Sequence, residues 1–305
     1  MPKDFLSLAD WSGSELLKVL ERAVQLKRNL REGESSHSLK GKSVAMYFEH
    51  PSLRTHVTFQ TGISQLGGNS IFLTGDQVGI GKRESVSDVA RSLSRWVDVL
   101  IARTAKHGLL VDLASNAEIP VVNALTDKFH PCQAMADVMT MLEHSTLSEI
   151  RLAYIGDGNN VANSLTLAAS VLGFEIFLAT PEDYRPSDEV WEIALRSCRQ
   201  SGGKVSWAES PEEAVQGANF IYTDVWASMG QESESEARRK IFSRYQVNQK
   251  LVSSAPNAWV MHDLPAHRGE EITNEVLDGS QSIVFDQAEN RLHVQKAILE
   301  TLLSR

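Results

Sequence analysis

The sequence predicts an α/β protein made of two doubly wound parallel-sheet domains. Three observations carry that expectation. Short apolar runs of strand character alternate with amphipathic helical windows along the chain, the pattern of parallel sheets covered by helices. A length of 305 residues suits two such units. The helical stretch HPCQAMADVMTMLEH, residues 130–144, is a natural bridge that places a boundary near 145–150. The expected domains are therefore 1–147 and 148–287, with a closing helix over 288–305 packed back on the first.

The elements follow in order. Asp10 and Ser12 are good caps for a first helix over 13–30. Strands rich in β-branched and aromatic residues fall at 43–48 (SVAMYF), 70–74 (SIFLT), 97–102 (VDVLIA) and 120–124 (PVVNA). Helical periodicity fills the intervals 54–66, 85–96, 107–116 and 131–144. In the second half strands are expected at 151–155 (RLAYI), 174–179 (FEIFLA), 204–207 (KVSW), 219–222 (NFIY), 258–261 (AWVM) and 282–285 (SIVF). A last helix is expected over 288–304, and the polar run 228–240 (SMGQESESEARRK) reads as a loop leading into a helix.

Composition narrows the functional classes. Hydrophobic content of 42% and charged content of 23% are those of an ordinary globular chain. The net charge of −9, without a long basic stretch, argues against a nucleic-acid partner. The longest apolar runs fall well short of a membrane span. Two cysteines without CxxC spacing, and nine histidines without HxxxH or HExxH, argue against a zinc site or disulfide framework. The polar start MPKDFLSLADWSG reads as no signal peptide, so a cytoplasmic location is expected.

Polar residues gather where strands end. In FEHPSLRTH, residues 48–56, a strand gives way to a helix opened by Ser52, Leu53, Arg54 and Thr55. Helix-start N–H groups, two hydroxyls and a guanidinium suit an anion, although a capping serine beside a surface arginine explains the same letters. Arg103 ends the next strand, and His130 and Gln133 lie one turn apart around Pro131. Arg291 opens the last helix. In the second half YIGDGNNVANS has Val161 at the third glycine position, and the following strand ends in Ala179-Thr180 without a ribose-binding acid. That turn reads as a support for Asn159 and Asn160, not as a dinucleotide site. Asp224 and Asp263 end two further strands. A half with cations at its strand ends, paired with a half offering amides and carboxylates, suits joining an anionic reactant to a cationic one.

On these motifs the chain resembles the aspartate/ornithine carbamoyltransferase family, from about residue 4 to the C-terminus. The motifs are Ser52-Leu53-Arg54-Thr55, Arg103-Thr104-x-x-His107, His130-Pro131-Cys132-Gln133, Gly156-Asp157-Gly158-Asn159-Asn160, Asp224-x-x-x-Ser228-Met229-Gly230, His262-x-Leu264-Pro265 and Glu289-Asn290-Arg291. The Ser-Met-Gly loop is similar to the ornithine branch. The resemblance implies an active-site cleft between the domains and a homotrimer with sites near subunit interfaces. It implies carbamoyl phosphate held by Ser52, Leu53, Arg54 and Thr55, with Arg103, His130, Gln133 and Arg291 around the carbamoyl group and Asp263-Leu264 beside it. L-Ornithine would lie against Asn160, Asp224, Ser228 and Met229. The implied transfer to give L-citrulline needs neither metal nor organic cofactor.

Three positions depart from the family pattern. Asp263 stands where ornithine enzymes of the family carry cysteine, His56 where they carry arginine, and Gly79 where they carry a glutamine that helps hold carbamoyl phosphate. A carboxylate beside the attacking amine favours its ammonium form. The expectation is either slower turnover of ornithine with a more alkaline optimum, or a different diamino acid as acceptor. A non-catalytic protein on the same fold is the third alternative. Gln77, Lys82 and His50 are the candidates to replace the missing anion contacts.

Overall fold

The computed structural model of the protein describes residues 1–227 and 234–304. The chain divides into two compact units, Met1–Met139 together with the chain from Glu289 onward, and Thr140–Ala288.

The first unit opens with α1 (Gly13–Arg31), started by a reciprocal capping box between Ser12 and Glu15. Its buried stripe, Leu16, Val19, Leu20, Ala23 and Leu26, has helical spacing. There follow β1 (Ser43–Phe48), α2 (Leu53–Gln65), β2 (Asn69–Thr74), the one-turn α3 (Gly75–Val78), α4 (Val86–Trp96), β3 (Val99–Arg103), α5 (His107–Asn116), β4 (Val121–Leu125) and α6 (Pro131–Leu142). The four strands are parallel in the order β2-β1-β3-β4. The inner strands β1 and β3 are apolar almost throughout because both faces are covered, whereas β2 is a half-exposed edge.

The second unit holds β5 (Arg151–Ile155), α7 (Asn160–Leu172), β6 (Glu175–Ala179), α8 (Asp188–Ser201), β7 (Lys204–Trp207), α9 (Pro211–Ala214), β8 (Phe220–Thr223), α10 (Ser235–Phe242), α11 (Gln249–Ser253), β9 (Trp259–His262) and α12 (Asn274–Leu277). Its five strands are parallel in the order β7-β6-β5-β8-β9. The last helix, α13 (Val284–Leu303), carries the chain back into the first unit.

Each sheet reverses its winding once, between β1 and β3 in the first and between β5 and β8 in the second. At such a point successive loops leave in opposite directions and open a crevice at the carboxyl ends of the strands. The expected fold class therefore holds, with most boundaries within two residues. The expected strand at 282–285 does not form. Ser282 makes one isolated bridge to Val260, and Ile283 then donates to Val260 while accepting from Gln287. The apolar run SIVF thus leaves the ladder after one rung, and its buried Ile283 and Val284 become the start of α13, four residues before the expected 288.

The turn after β5 is closed by its own chain. Gly158 donates to the carbonyl of Tyr184 at 2.8 Å. A Cβ at Gly158 would lie 2.4 Å from that oxygen and 2.5 Å from Pro186. Close approach here serves the segment around Tyr184 and Pro186, which is the place a dinucleotide's pyrophosphate would need. Gly158→Ala is expected to lower stability by about 1–3 kcal/mol, as for other overpacked sites. The urea midpoint should fall at unchanged slope, and an unchanged midpoint would contradict the tight packing.

Candidate active site

In the first unit the crevice is lined by the starts of α2 and α6, the end of β3 and one residue of α13. Ser52 caps α2 by accepting from the Thr55 N–H at 3.4 Å. The first amides of α2 have no acceptor within the helix, the geometry by which a helix start can hold an anion. The Leu53 side chain is 74% exposed, so this position offers its backbone. Arg54 is half-buried in the same turn, and Arg103, the final residue of β3, is buried.

Arg291 ties these pieces together. Its guanidinium donates through Nη1 to Gln133 Oε1 and through Nη2 to Thr55 Oγ1, the latter at 2.9 Å. Gln133 is held in turn by donating to Asp137 Oδ1 at 2.8 Å, one helical turn along α6. His130, just before α6, is buried, and its imidazole is held well below the ordinary histidine range by burial first and then by the charges of Arg291 and Arg103. It is therefore neutral at ordinary pH and can donate a hydrogen bond without adding charge. Thr55, Arg103, His130, Gln133 and Arg291 thus form one cationic, donor-rich group. Neighbouring Cys132 is no nucleophile, since burial pushes its thiol up to about 12 and its Sγ donates to Asn123 O at 3.3 Å.

The departures also find their places. His56 stacks on Phe72 with ring centroids 3.9 Å apart, so this side chain packs on β2. Gly79 closes α3 with φ 68°, and a Cβ there would meet the Arg83 Cβ at 3.1 Å. A side chain at position 79 is disfavoured by this turn. Gln77 is occupied in accepting from the Thr74 N–H at 3.0 Å. His50 and Lys82 line a pocket of 450 Å³ with Gly79, Arg83, Glu49 and Asp76.

In the second unit the crevice lies at the ends of β5, β8 and β9. Asn159 caps α7, its Oδ1 accepting from Val161 and Ala162, while its Nδ2 donates to Asp224 Oδ2 at 2.7 Å. One side-chain amide thereby fixes a carboxylate across the reversal point. Asn160 follows as the first residue of α7 and is buried. Beneath them the Tyr154 hydroxyl donates to Asp157 O at 2.8 Å. Burial, then Asp224, Asp157 and Asp263, keep that phenol well above its ordinary pKa.

Asp157 is matched by Arg238 of α10, whose Nη1 lies 2.9 Å from Asp157 Oδ2 and also donates to Trp226 O at 2.7 Å. The guanidinium also lies over the Tyr184 ring, 4.8 Å from its centroid. Ser228 and Met229, expected to contact the acceptor, lie outside the described residues.

Asp263 and Leu264 follow β9. His262 donates from Nε2 to the buried Glu271 Oε1 at 3.0 Å, which fixes its tautomer, and its Nδ1 accepts from the Leu264 N–H at 2.9 Å. That contact holds Leu264 at φ 58° and sets the turn that presents Asp263. Ligand atoms of Asp224, His262 and Asp263 lie within 4.8 Å of one another. Both nitrogens of His262 are already engaged, which leaves a pair of carboxylates suited to a cationic organic group and not a three-ligand metal centre. Asp137, Asn159 as the partner of Asp224, Arg238 and Glu271 were not singled out in the sequence for these roles. Only Asp137 had a signal there, its i,i+4 spacing from Gln133.

Comparison with known proteins gives a consistent result. The aspartate/ornithine carbamoyltransferase carbamoyl-P binding domain matches residues 3–143, and the Asp/Orn binding domain of the same family matches residues 148–302. The ornithine carbamoyltransferase of Symbiobacterium thermophilum is 49% identical over 304 residues, covering 99% of this chain and 98% of that protein. Among solved structures, ornithine carbamoyltransferase from Pyrococcus furiosus superposes with a TM-score of 0.94 at 47% identity, covering 97% of this chain and 95% of that one. Anabolic ornithine carbamoyltransferase from Campylobacter jejuni gives 0.93 at 37% identity, covering 99% of each chain.

The buried Asp157–Arg238 pair yields a test with a sign. Burial outweighs Arg238 and raises the Asp157 carboxyl to about 6. The folded state therefore holds this proton more tightly than the unfolded state, so the favourable contribution is full below the ordinary carboxylate range and is lost as pH rises through about 6. Arg238→Met removes the charge that opposes burial at Asp157 and raises the carboxyl further. The variant should lose about 3–5 kcal/mol at about pH 8 and distinctly less at about pH 5, where the carboxyl can take a proton. Urea unfolding at the two values checks this, and equal losses at both would contradict it.

Proposed function

Because the chain belongs to the aspartate/ornithine carbamoyltransferase family, we propose that it transfers the carbamoyl group of carbamoyl phosphate to the side-chain amine of L-ornithine, giving L-citrulline and phosphate. The observation that carries this reading is the division of chemistry between the two reversal points. One gathers Arg103, His130, Gln133 and Arg291 beside a helix start, and the other gathers Asn160, Asp224 and Asp263.

Carbamoyl phosphate would seat its phosphate on the amides of α2 with Ser52, Leu53, Arg54 and Thr55. Its carbonyl oxygen would point to Arg103, His130 and Thr55, where negative charge grows as the amine attacks. Neutral His130 suits that role, because it stabilises the oxygen by donation and is not titrated away near neutrality. Gln133 would hold the carbamoyl nitrogen, with the backbone at Leu264 as a second acceptor. Arg291 completes the group, fixed by Thr55 and Gln133. Holding both reactants in register supplies much of the remaining acceleration. The transfer calls on no metal or organic cofactor, since an acyl phosphate is already activated and an amine is already nucleophilic once deprotonated.

Ornithine would place its α-carboxylate near Asn160 and its α-ammonium against Asp224, with Ser228 and Met229 along the stem. Two carboxylates near each other attract a diamino acid and repel a dicarboxylate, which favours ornithine over aspartate. A homotrimer and a cytoplasmic location belong to the same proposal and rest on the family resemblance.

Incubating the protein with carbamoyl phosphate and L-ornithine should release citrulline and phosphate in equal amounts, and aspartate should give no carbamoyl product. His130→Ala should lower kcat by about 10²–10³-fold, the usual cost of one oxyanion donor. Carbamoyl phosphate binding should change far less. Unchanged kcat in that variant would remove His130 from the transition state.

A further inference from the structure

Helix α13 serves both units. Its first turns belong to the second, where Gln287 Oε1 accepts from the His262 N–H at 3.0 Å and Gln287 Nε2 donates to the Tyr222 hydroxyl at 3.1 Å. From Glu289 onward the helix belongs to the first unit. Arg291 follows Gln287 by one helical turn, yet its guanidinium must stay on Thr55 and Gln133 of the first unit. A helix is stiff over so short a distance, because every residue adds a fixed rise and rotation. The register of Arg291 therefore depends on what grips α13 at the point where it enters the first unit.

Two residues at that point, Glu289 and Asn290, have no part in the reaction as derived above. Both meet one side chain of α1. Lys27 Nζ donates to Asn290 Oδ1 at 2.8 Å and lies 3.4 Å from Glu289 Oε2, across 263 residues of chain from Asn290. Lys27 is only 6% exposed and continues the buried stripe of α1. Lysine is rarely buried, and taking an ammonium out of water is costly unless it is paired and hydrogen-bonded. Here the pairing is supplied by the residues next to Arg291. Glu289 is also 3.3 Å from Arg31 Nη2. Against the opposing effect of burial, Lys27 and Arg31 hold its carboxyl below the ordinary range, so the anion persists. His293 lies 3.6 Å from Glu289 but adds no charge near neutrality, because burial outweighs Glu289 and pushes its imidazole down to about 4.

We propose that Lys27 is a positioning residue for carbamoyl transfer. Through Asn290 and Glu289 it fixes the register of α13 in the first unit, so that Arg291 keeps its guanidinium on Thr55 Oγ1 and Gln133 Oε1. The inference rests on the carbamoyl phosphate reading above and adds a remote support to that site. Lys27 touches no reactant. Its effect passes through the helix backbone to Arg291, and from Arg291 to the groups around the carbamoyl carbon. A misplacement of about 1 Å in such a group can cost about 10²-fold in rate. Farther along the same pair of helices Arg22 donates to Glu300 Oε1 at 3.1 Å. That pair also ties α1 to α13, but it grips the far end of α13, beyond Arg291, and provides a control for loosening of the helix pair in general.

The test compares Lys27→Met, Lys27→Arg and Arg22→Met, with kcat and both KM values read from citrulline release and stability from urea midpoints. Lys27→Met should lower kcat by about 10- to 100-fold with the KM for ornithine unchanged. Lys27→Arg, which keeps a cation and its donors, should recover part of that loss. Arg22→Met should lower the urea midpoint and leave kcat at the native value. In an Arg291→Met background Lys27→Met should cost nothing further, since the two act as one unit. If Lys27→Met does not fold, Asn290→Ala cuts the same link from the other side and is read the same way. A folded Lys27→Met protein with native kcat overturns the proposal. So does a loss that adds in full to that of Arg291→Met, or an equal loss of kcat in Arg22→Met. A native protein that makes no citrulline fails the functional reading and takes this inference with it, whereas an active native protein with an unmoved Lys27→Met variant sinks this inference alone.

Discussion

The reversal of strand order, once in each sheet, is the constraint on which the rest of the molecule depends. Parallel strands need helical crossovers, and crossovers that change direction leave a gap where no helix can cover the strand ends. Between β1 and β3 that gap lies at the start of α2 and the end of β3. Between β5 and β8 it brings together Asn159, Asn160 and Asp224. Both crevices are consequences of topology, and the side chains decide what each can hold.

Those side chains are kept in place by polar contacts that the apolar core alone would not supply. Asp137 holds Gln133, Gln133 and Thr55 hold Arg291, and burial, then Arg291 and Arg103, keep His130 uncharged. In the second unit Asn159 holds Asp224, Arg238 answers Asp157, and Glu271 sets the tautomer of His262 and through it the Leu264 turn. Buried groups of this kind cost energy when left without partners, so each chain also fixes the geometry of the crevice it lines. Asp263, one of the expected departures from the family pattern, stands at the end of such a support.

Much of this was legible in the letters. Strands β1, β5 and β7 carry apolar or β-branched runs bounded by turn formers, and their limits were readable to the residue. Motif residues at strand ends, such as Arg103, Asp224 and Asp263, announced themselves by breaking an apolar pattern at a fixed place. The run SIVF did not, because four apolar letters suit a buried strand and a buried helix start equally, and only the Val260 bridge and the Gln287 bond decide between them. Long-range partners were silent for another reason. Arg238 is 81 residues from Asp157 and sits in a polar stretch where any arginine would look solvated. His56 and Gly79 show the converse, since their letters signalled loss, while the fold gives one a ring to stack on and the other a left-handed turn to close.

The central claim is that anionic donor and cationic acceptor are held by separate crevices with opposite chemistry. Hydrogen–deuterium exchange with each ligand added alone tests it most directly. Carbamoyl phosphate should slow exchange at the starts of α2 and α6 and at the end of β3, and leave the turns after β5 and β8 unchanged. Protection that appears first in the second set, or in neither, would contradict the account.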